Sequence, residues 1–110
     1  MKKKYRIKKN EEFQAIIHLR HSVVNKAYVL YYSKKKEEHG RLGISVSKKM
    51  GKANVRNKIK RQVRMMVQDI IKQGLLMMDV ILIVRAPYLQ QSYIDNKKDL
   101  ESLIKKVKIK

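Results

Sequence analysis

RLGISVSKKMGKANVRNKIKRQVR, residues Arg41–Arg64, changes its periodicity halfway along. Over Arg41 to Ser47, apolar Leu42, Ile44 and Val46 alternate with Gly43 and Ser45, the period-two pattern of a half-buried strand. One face of that strand meets a core, and the other carries small groups that leave room for a ligand. Further on the period lengthens. Val55, Ile59, Val63, Met66, Val67, Ile70 and Ile71 recur at steps of three, four and one, which makes one continuous apolar stripe on a long helix. Asn54 is a suitable N-cap and Gly74 a suitable stop. From Ser47 to Arg64 there is no acid, while Lys48, Lys49, Lys52, Arg56, Lys58, Lys60, Arg61 and Arg64 are all basic. Solvated helix faces usually interleave both signs. Arg56, Lys60 and Arg64 fall at i, i+4 and i+8, a row of about 12 Å, with Asn57 and Arg61 beside it. The negative charge missing from this segment has to come from a partner, and a polyphosphate backbone supplies it.

On the C-terminal side, Asp79 to Arg85 (DVILIVR) is nearly unbroken apolar sequence, expected as a central strand covered on both faces. Pro87 ends it. Ser92 and Asp95 resemble a capping box that opens a last helix, with Leu100, Leu103, Ile104 and Val107 as its stripe. On the N-terminal side, Tyr28 to Tyr32 (YVLYY) and Ser22 to Val24 read as strands, and the polar Ser33 to Gly40 as a connection. Asn10 is placed to cap a short helix carrying Glu11 and Glu12 in its first turn and Phe13, Ile16 and Ile17 on its apolar side. Residues 1–8 read as a mobile basic arm. The order is α-β-β-β-α-β-α without repeat or linker, a single α+β domain over residues 1–110.

The balance of 28 Lys and Arg against 9 Asp and Glu gives 110 residues a formal charge of +19. Self-repulsion at that density disfavours the compact state, so a polyanionic partner is expected to offset it. Bound anions are then expected to stabilise the fold by mass action. Hydrophobic residues make up 44% and come in periodic blocks, unlike a disordered tail. There is no cysteine, which excludes disulfides and thiolate metal sites. No signal-peptide run or membrane-length apolar block is present, so a cytoplasmic protein without membrane contact is expected. Tyr5, Tyr88 and Tyr93 read as packing residues, and the six methionines as core filler.

Two other classes compete. A metal-dependent nuclease needs convergent carboxylates, but the acids here are scattered, with Glu11, Glu12, Glu37 and Glu38 in segments expected to be exposed. His18, His21 and His39 could in principle supply an acid and a base, as in metal-free RNA cleavage, but they read as surface histidines. A generic RNA-binding or ribosomal protein fits the charge and size.

The segment from Arg41 to Arg64 resembles the signature of the bacterial ribonuclease P protein component. There a Gly-hydrophobic-Ser-Val-Ser-Lys-Lys strand runs into a Lys-x-x-x-Arg-Asn-x-x-Lys-Arg-x-x-Arg helix. Here the pattern is met by Gly43, Ser45, Val46, Ser47, Lys48 and Lys49, then Lys52, Arg56, Asn57, Lys60, Arg61 and Arg64. KKNEEFQ, YVLYY, DVILIVR and the C-terminal helix extend the likeness over nearly the whole chain. The resemblance implies a four-stranded sheet with three helices and a left-handed crossover through the basic helix, against the general right-handed rule.

It also implies a function. The protein would bind the catalytic ribonuclease P RNA and the 5′ leader of precursor tRNA, with no obligate protein partner. The RNA and its magnesium would perform the cleavage, leaving no catalytic residue and no cofactor on the protein. Lys48, Lys49, Lys52, Arg56, Asn57, Lys60, Arg61 and Arg64 would contact ribonuclease P RNA. Phe13, Ile17 and Tyr31, with Ser45 and Ser47 on the neighbouring strand, would form the leader cleft. Unpaired bases stack on aromatic rings with little sequence preference, which suits a subunit that accepts many leaders. Two positions depart from the family pattern: Ile17 replaces a common second aromatic, and Met65 stands where an acid is frequent.

Overall fold

The computed structural model of the chain describes residues 2–109, with side chains through residue 107. Its elements are α1 (Asn10–His18), β1 (Ser22–Val24), β2 (Tyr28–Lys34), β3 (Leu42–Ser45), α2 (Ala53–Lys72), β4 (Met78–Val84) and α3 (Tyr93–Ile109). Short 3-10 turns occupy Lys3–Tyr5, Lys48–Met50 and Ala86–Gln90. Pro87 stands at the start of the last of these, just past the end of β4.

The four strands lie in the order β1-β2-β4-β3. β1 pairs antiparallel with β2, and β2 with β4. β3 pairs parallel with β4, so β3, α2 and β4 form the crossover unit. β4 is central, and its alternate residues serve two layers. Val80, Leu82 and Val84 join the main core with Tyr28, Leu30 and Leu42 under α2 and α3. Ile81 faces the other way and is buried with Ile7 and Ile16 beneath α1. A strand covered on both faces has no polar alternation to show, which explains the unbroken DVILIV.

On α2 the expected stripe is the buried one: Ile59, Val63, Met66, Val67 and Ile70 are internal, and Val55 and Ile71 pack at its margins. Its end is a Schellman motif. Gly74, at φ +70°, donates to Ile71 O at 2.9 Å, and Leu75 donates to Ile70 O at 3.2 Å. Ser92 accepts from Asp95 N at 3.1 Å and caps α3.

Both asparagine caps fall one or two positions inside the helices they were expected to open. Extended Lys9 precedes α1 and extended Lys52 precedes α2, neither with a side-chain cap bond. The Lys52 carbonyl already accepts from Arg56 N at 3.1 Å, so the helical turn closes before Asn54 can cap it. β3 also stops early, at Ser45. Ser47 instead caps the turn Lys48–Met50, its Oγ accepting from Lys49 N at 3.2 Å.

Arg6 and Ile7, expected as part of a mobile arm, are placed against the free edge of β3, after the 3-10 turn of Lys3–Tyr5. Arg6 bridges to Leu42 in parallel register, Ile7 N donates to Leu42 O at 2.8 Å, and the Ile7 side chain is buried. Tyr5 packs edge-on against His39, whose Nε2 lies 2.8 Å from Lys4 O. Met1 of that arm is outside the described residues. Tyr88 is buried edge-on to Tyr28, whose hydroxyl donates to Asn96 O at 2.8 Å. Of the methionines, Met50 and Met66 are core, whereas Met65 and Met77 are exposed and fill nothing.

Candidate nucleic-acid interface

The basic segment begins at the β3–α2 connection. Met50 is buried and pins the turn, leaving Lys48, Lys49 and Lys52 in solvent around it. Gly51 sits at φ +139°, where a side chain is strained, with Val55 3.2 Å from any added Cβ. Along α2, Asn57, Lys58 and Arg61 are exposed, and Arg56, Lys60 and Arg64 are half-buried at the flank of the apolar stripe. The first turn of α2 holds no acid, so the positive end of the helix dipole adds to these charges.

Among the described residues the salt bridges are Lys36–Glu12, Arg41–Glu12, Arg41–Asp79 and Lys97–Asp69. None of the eight cations from Lys48 to Arg64 takes part. The Nε of Arg56 is buried without a hydrogen-bond partner. Burial, and then the charge of Arg6, hold the Arg64 guanidinium below its ordinary pKa. A surface that keeps cations unpaired and crowded is arranged for an external polyanion.

The second feature is the cleft between α1 and the sheet. Phe13, Ile17, Tyr31 and Ile83 are partly exposed around the buried Ile7, Ile16 and Ile81. Phe13 does more than line a wall. Its ring lies on Gly43: a Cβ there would stand 2.6 Å from Phe13 Cζ and 2.7 Å from Ile81 Cδ1. The face of β3 expected to be open is therefore covered by an aromatic ring at Gly43 and accessible at Ser45. Register puts Val24, Val29, Ile83 and Ser45 in one row across all four strands, and paired residues point to one face. This row is the floor of the cleft, with Val24 exposed and the others half-exposed.

Two placements need correction. β3 is not next to the strand of Tyr31, because β4 lies between them; parallel pairing of β3 with β4 takes the inner position from β3. Ser47 lies past the end of β3, exposed, with its hydroxyl committed to the turn. Val29 and Ile83 were missed, although both share an alternation phase with Tyr31 and Ile81 and could have been read from it.

α1 is held over the sheet by Arg41, to which no role was assigned from sequence. One guanidinium nitrogen donates to Glu12 Oε2 at 2.7 Å and to Asp79 Oδ2 at 2.9 Å, and Nε to Asp79 Oδ1 at 3.4 Å. Asp79 is 1% exposed. The Arg41 hydrogen bond, against some opposing desolvation, holds the Glu12 carboxyl below its ordinary 4.5. The hydrogen bonds that Arg41 donates to Asp79 and to Glu12 raise its own pKa in turn. Glu12 is thus half-buried and paired, not the free surface acid of the sequence reading.

These carboxylates do not fit a divalent-metal site. Glu12 and Asp79 converge on a guanidinium, and among the described residues no three His, Asp or Glu side chains gather to hold an ion. His18 and His21 are exposed, and His39 is turned to the Lys4 backbone.

The cleft and the basic helix meet at the β3 edge. A groove of about 130 Å3 there is lined by Arg6, Lys8, Phe13, Ile44 and Arg64, with Ile7 and Leu42. Arg64, grouped from sequence with the basic helix alone, borders the same space as Phe13.

Fold and site together define a small, strongly cationic α+β domain with an unpaired basic helix beside a half-open aromatic cleft. The family model described as Ribonuclease P matches residues 1–108. The ribonuclease P protein component of Mesoplasma florum is 49% identical over 105 residues, covering 94% of this chain and 96% of that one. The solved Staphylococcus aureus RNase P protein superposes with a TM-score of 0.84 at 43% identity, covering 94% of each chain. That of Thermotoga maritima gives 0.81 at 28% identity, covering 92% and 96%. The chain belongs to the ribonuclease P protein component family. Membership implies a part in maturing tRNA 5′ ends, within a holoenzyme of endoribonuclease activity, and partnership with ribonuclease P RNA. Among the described residues no helix is long and apolar enough to cross a membrane.

Proposed function

We propose that this chain is the RNA-binding subunit of a ribonuclease P in which the RNA performs the cleavage, and that it presents two surfaces to two RNAs. Lys48, Lys49, Lys52, Arg56, Asn57, Lys60 and Arg61 dock on ribonuclease P RNA. The cleft of Phe13, Ile17 and Tyr31, floored by Val29, Ile83 and Ser45, takes the single-stranded 5′ leader of precursor tRNA. The observation that carries this reading is the row of unpaired cations on α2 ending at a half-open aromatic cleft.

Each surface suits its task. Phosphates displace counterions from unpaired Lys and Arg, which gives affinity without sequence preference. Leader bases stack on Phe13 and Tyr31, while Ile17, where relatives carry an aromatic, offers an apolar wall only. Magnesium is assigned to the RNA, and none of the protein's side chains is given a step in the hydrolysis. The protein lowers the magnesium demand by adding positive charge where two RNA backbones approach.

Changing Phe13 or Tyr31 to Ala tests the cleft. Each ring is worth about 1 to 3 kcal/mol of stacking, so holoenzyme affinity for leader-bearing precursor should fall while affinity for mature tRNA holds. Equal losses for both RNAs would contradict a leader cleft.

A further inference from the structure

The groove at the β3 edge has properties that neither RNA surface explains by itself. Three of its lining side chains, Arg6, Lys8 and Arg64, are cations and none is an acid. The remaining walls are apolar, with Phe13 on one side and Ile44 on another. Arg6 is brought there by backbone pairing of the N-terminal segment with Leu42, and its Nε is buried without a hydrogen-bond partner. Among the described residues neither Arg6 nor Arg64 has an ion pair. Two guanidinium groups crowded against apolar walls repel one another, and a buried unsatisfied donor is costly. Such an arrangement persists where an anion completes it. The space of about 130 Å3 is several times what one water needs, enough to admit a phosphate group.

We propose that Arg6, Lys8 and Arg64 form a subsite for one backbone phosphodiester of the strand whose base stacks on Phe13. This rests on the leader-cleft reading and deepens it: the N-terminal segment becomes part of the substrate site, and Arg64 moves from the ribonuclease P RNA surface to the leader. Arginine suits the role, since its planar fork donates two parallel bonds to phosphate oxygens. Lys8, exposed at the rim, adds a point charge. A phosphate held beside a stacking ring fixes where the leader enters without reading its sequence.

The test uses reconstituted holoenzyme carrying Arg6→Gln or Arg64→Gln, with leader-bearing precursor, leaderless tRNA, and precursors bearing one neutral methylphosphonate stepped along the leader. Expected are an about tenfold loss of affinity confined to leader-bearing RNA and a salt slope shallower by about 0.7. Wild-type holoenzyme should lose the same affinity at one methylphosphonate position, and the Arg6 variant should be indifferent to that position. Equal loss on leaderless tRNA, or weakened assembly with ribonuclease P RNA in place of the leader effect, would overturn the proposal by giving the phosphate to another strand. The melting temperature of free protein at low salt separates binding from structure. Relief of repulsion should leave both variants at least as stable as wild type, and a marked drop would make Arg6 a structural residue and overturn the subsite. Phe13→Ala runs in parallel. If it loses leader discrimination and Arg6→Gln does not, the subsite fails and the cleft stands; if neither does, the cleft itself is wrong.

Discussion

Arg41→Met should unlatch α1 from the sheet. In the native fold Arg41 supplies the hydrogen bonds to both oxygens of the Asp79 carboxylate and also reaches Glu12. Met keeps most of the apolar volume and removes every donor. The Arg41 side chain is 12% exposed and that of Asp79 1%, so water does not replace the missing bonds. Breaking a buried pair from one side costs about 3–5 kcal/mol. For a domain of this size that is a fall in melting temperature of roughly 12 °C or more. Glu12, on the wetter side of the bridge and 4.0 Å from Lys36, should contribute the smaller part of this loss. The double variant Arg41→Met with Asp79→Leu removes the stranded charge and should recover most of the stability, because apolar replacement of a buried pair is often neutral or better. Urea melts of the wild type, both single variants and the double variant complete the cycle. A single-variant loss below about 1 kcal/mol, the range of surface pairs, would refute the latch, as would a double variant no more stable than Arg41→Met.

Gly43→Ala should overpack the cleft by driving a methyl into the Phe13 ring and Ile81, at a cost of about 1–3 kcal/mol, and should weaken leader binding by displacing Phe13; unchanged melting would show that the ring yields freely. In acid, the stability that Glu12 supplies is complete above its unfolded value near 4.5 and is lost as pH falls through its lower folded value. Stability of the wild type should therefore decline below that pH, and Glu12→Gln should flatten the decline; an identical acid limb in both would exclude Glu12 as a contributor. Neutralising Arg56, Lys60 and Arg61 together should weaken ribonuclease P RNA binding and reduce its salt slope by about 0.7–0.9 for each phosphate that is no longer neutralised. A slope equal to that of wild type would remove α2 from the interface.

The parts legible in the sequence are those set by near neighbours along the chain. The α2 stripe and its Gly74 stop and the Ser92 cap each depend on residues within one or two turns, and each appears where its pattern put it. Ends were less legible. Nothing in KANVRN shows that backbone bonding starts at Lys52, ahead of a good capping residue. Long-range pairing was hidden as well. That β4 separates β2 from β3 follows from parallel pairing across the whole of α2, and it moved Ser45 two strands away from Tyr31. The Arg41 bridge joins residues 29 and 38 positions apart, and no local pattern distinguishes Arg41 from the other cations of this chain. Gly43 looked like a small group on an open face because the sequence does not show that Phe13 lies across it. The Arg64 position carried two meanings at once: helical phase grouped it with Arg56 and Lys60, and only the folded N-terminal segment sets it beside Arg6.

The decisive measurement is cleavage of a leader-bearing precursor tRNA by cognate ribonuclease P RNA at low magnesium, with and without this protein. Strong protein-dependent cutting at the mature 5′ end is expected, and none by the protein alone. Absence of stimulation would reduce the chain to a generic RNA binder, and cutting by the protein alone would contradict the assignment of the chemistry to the RNA.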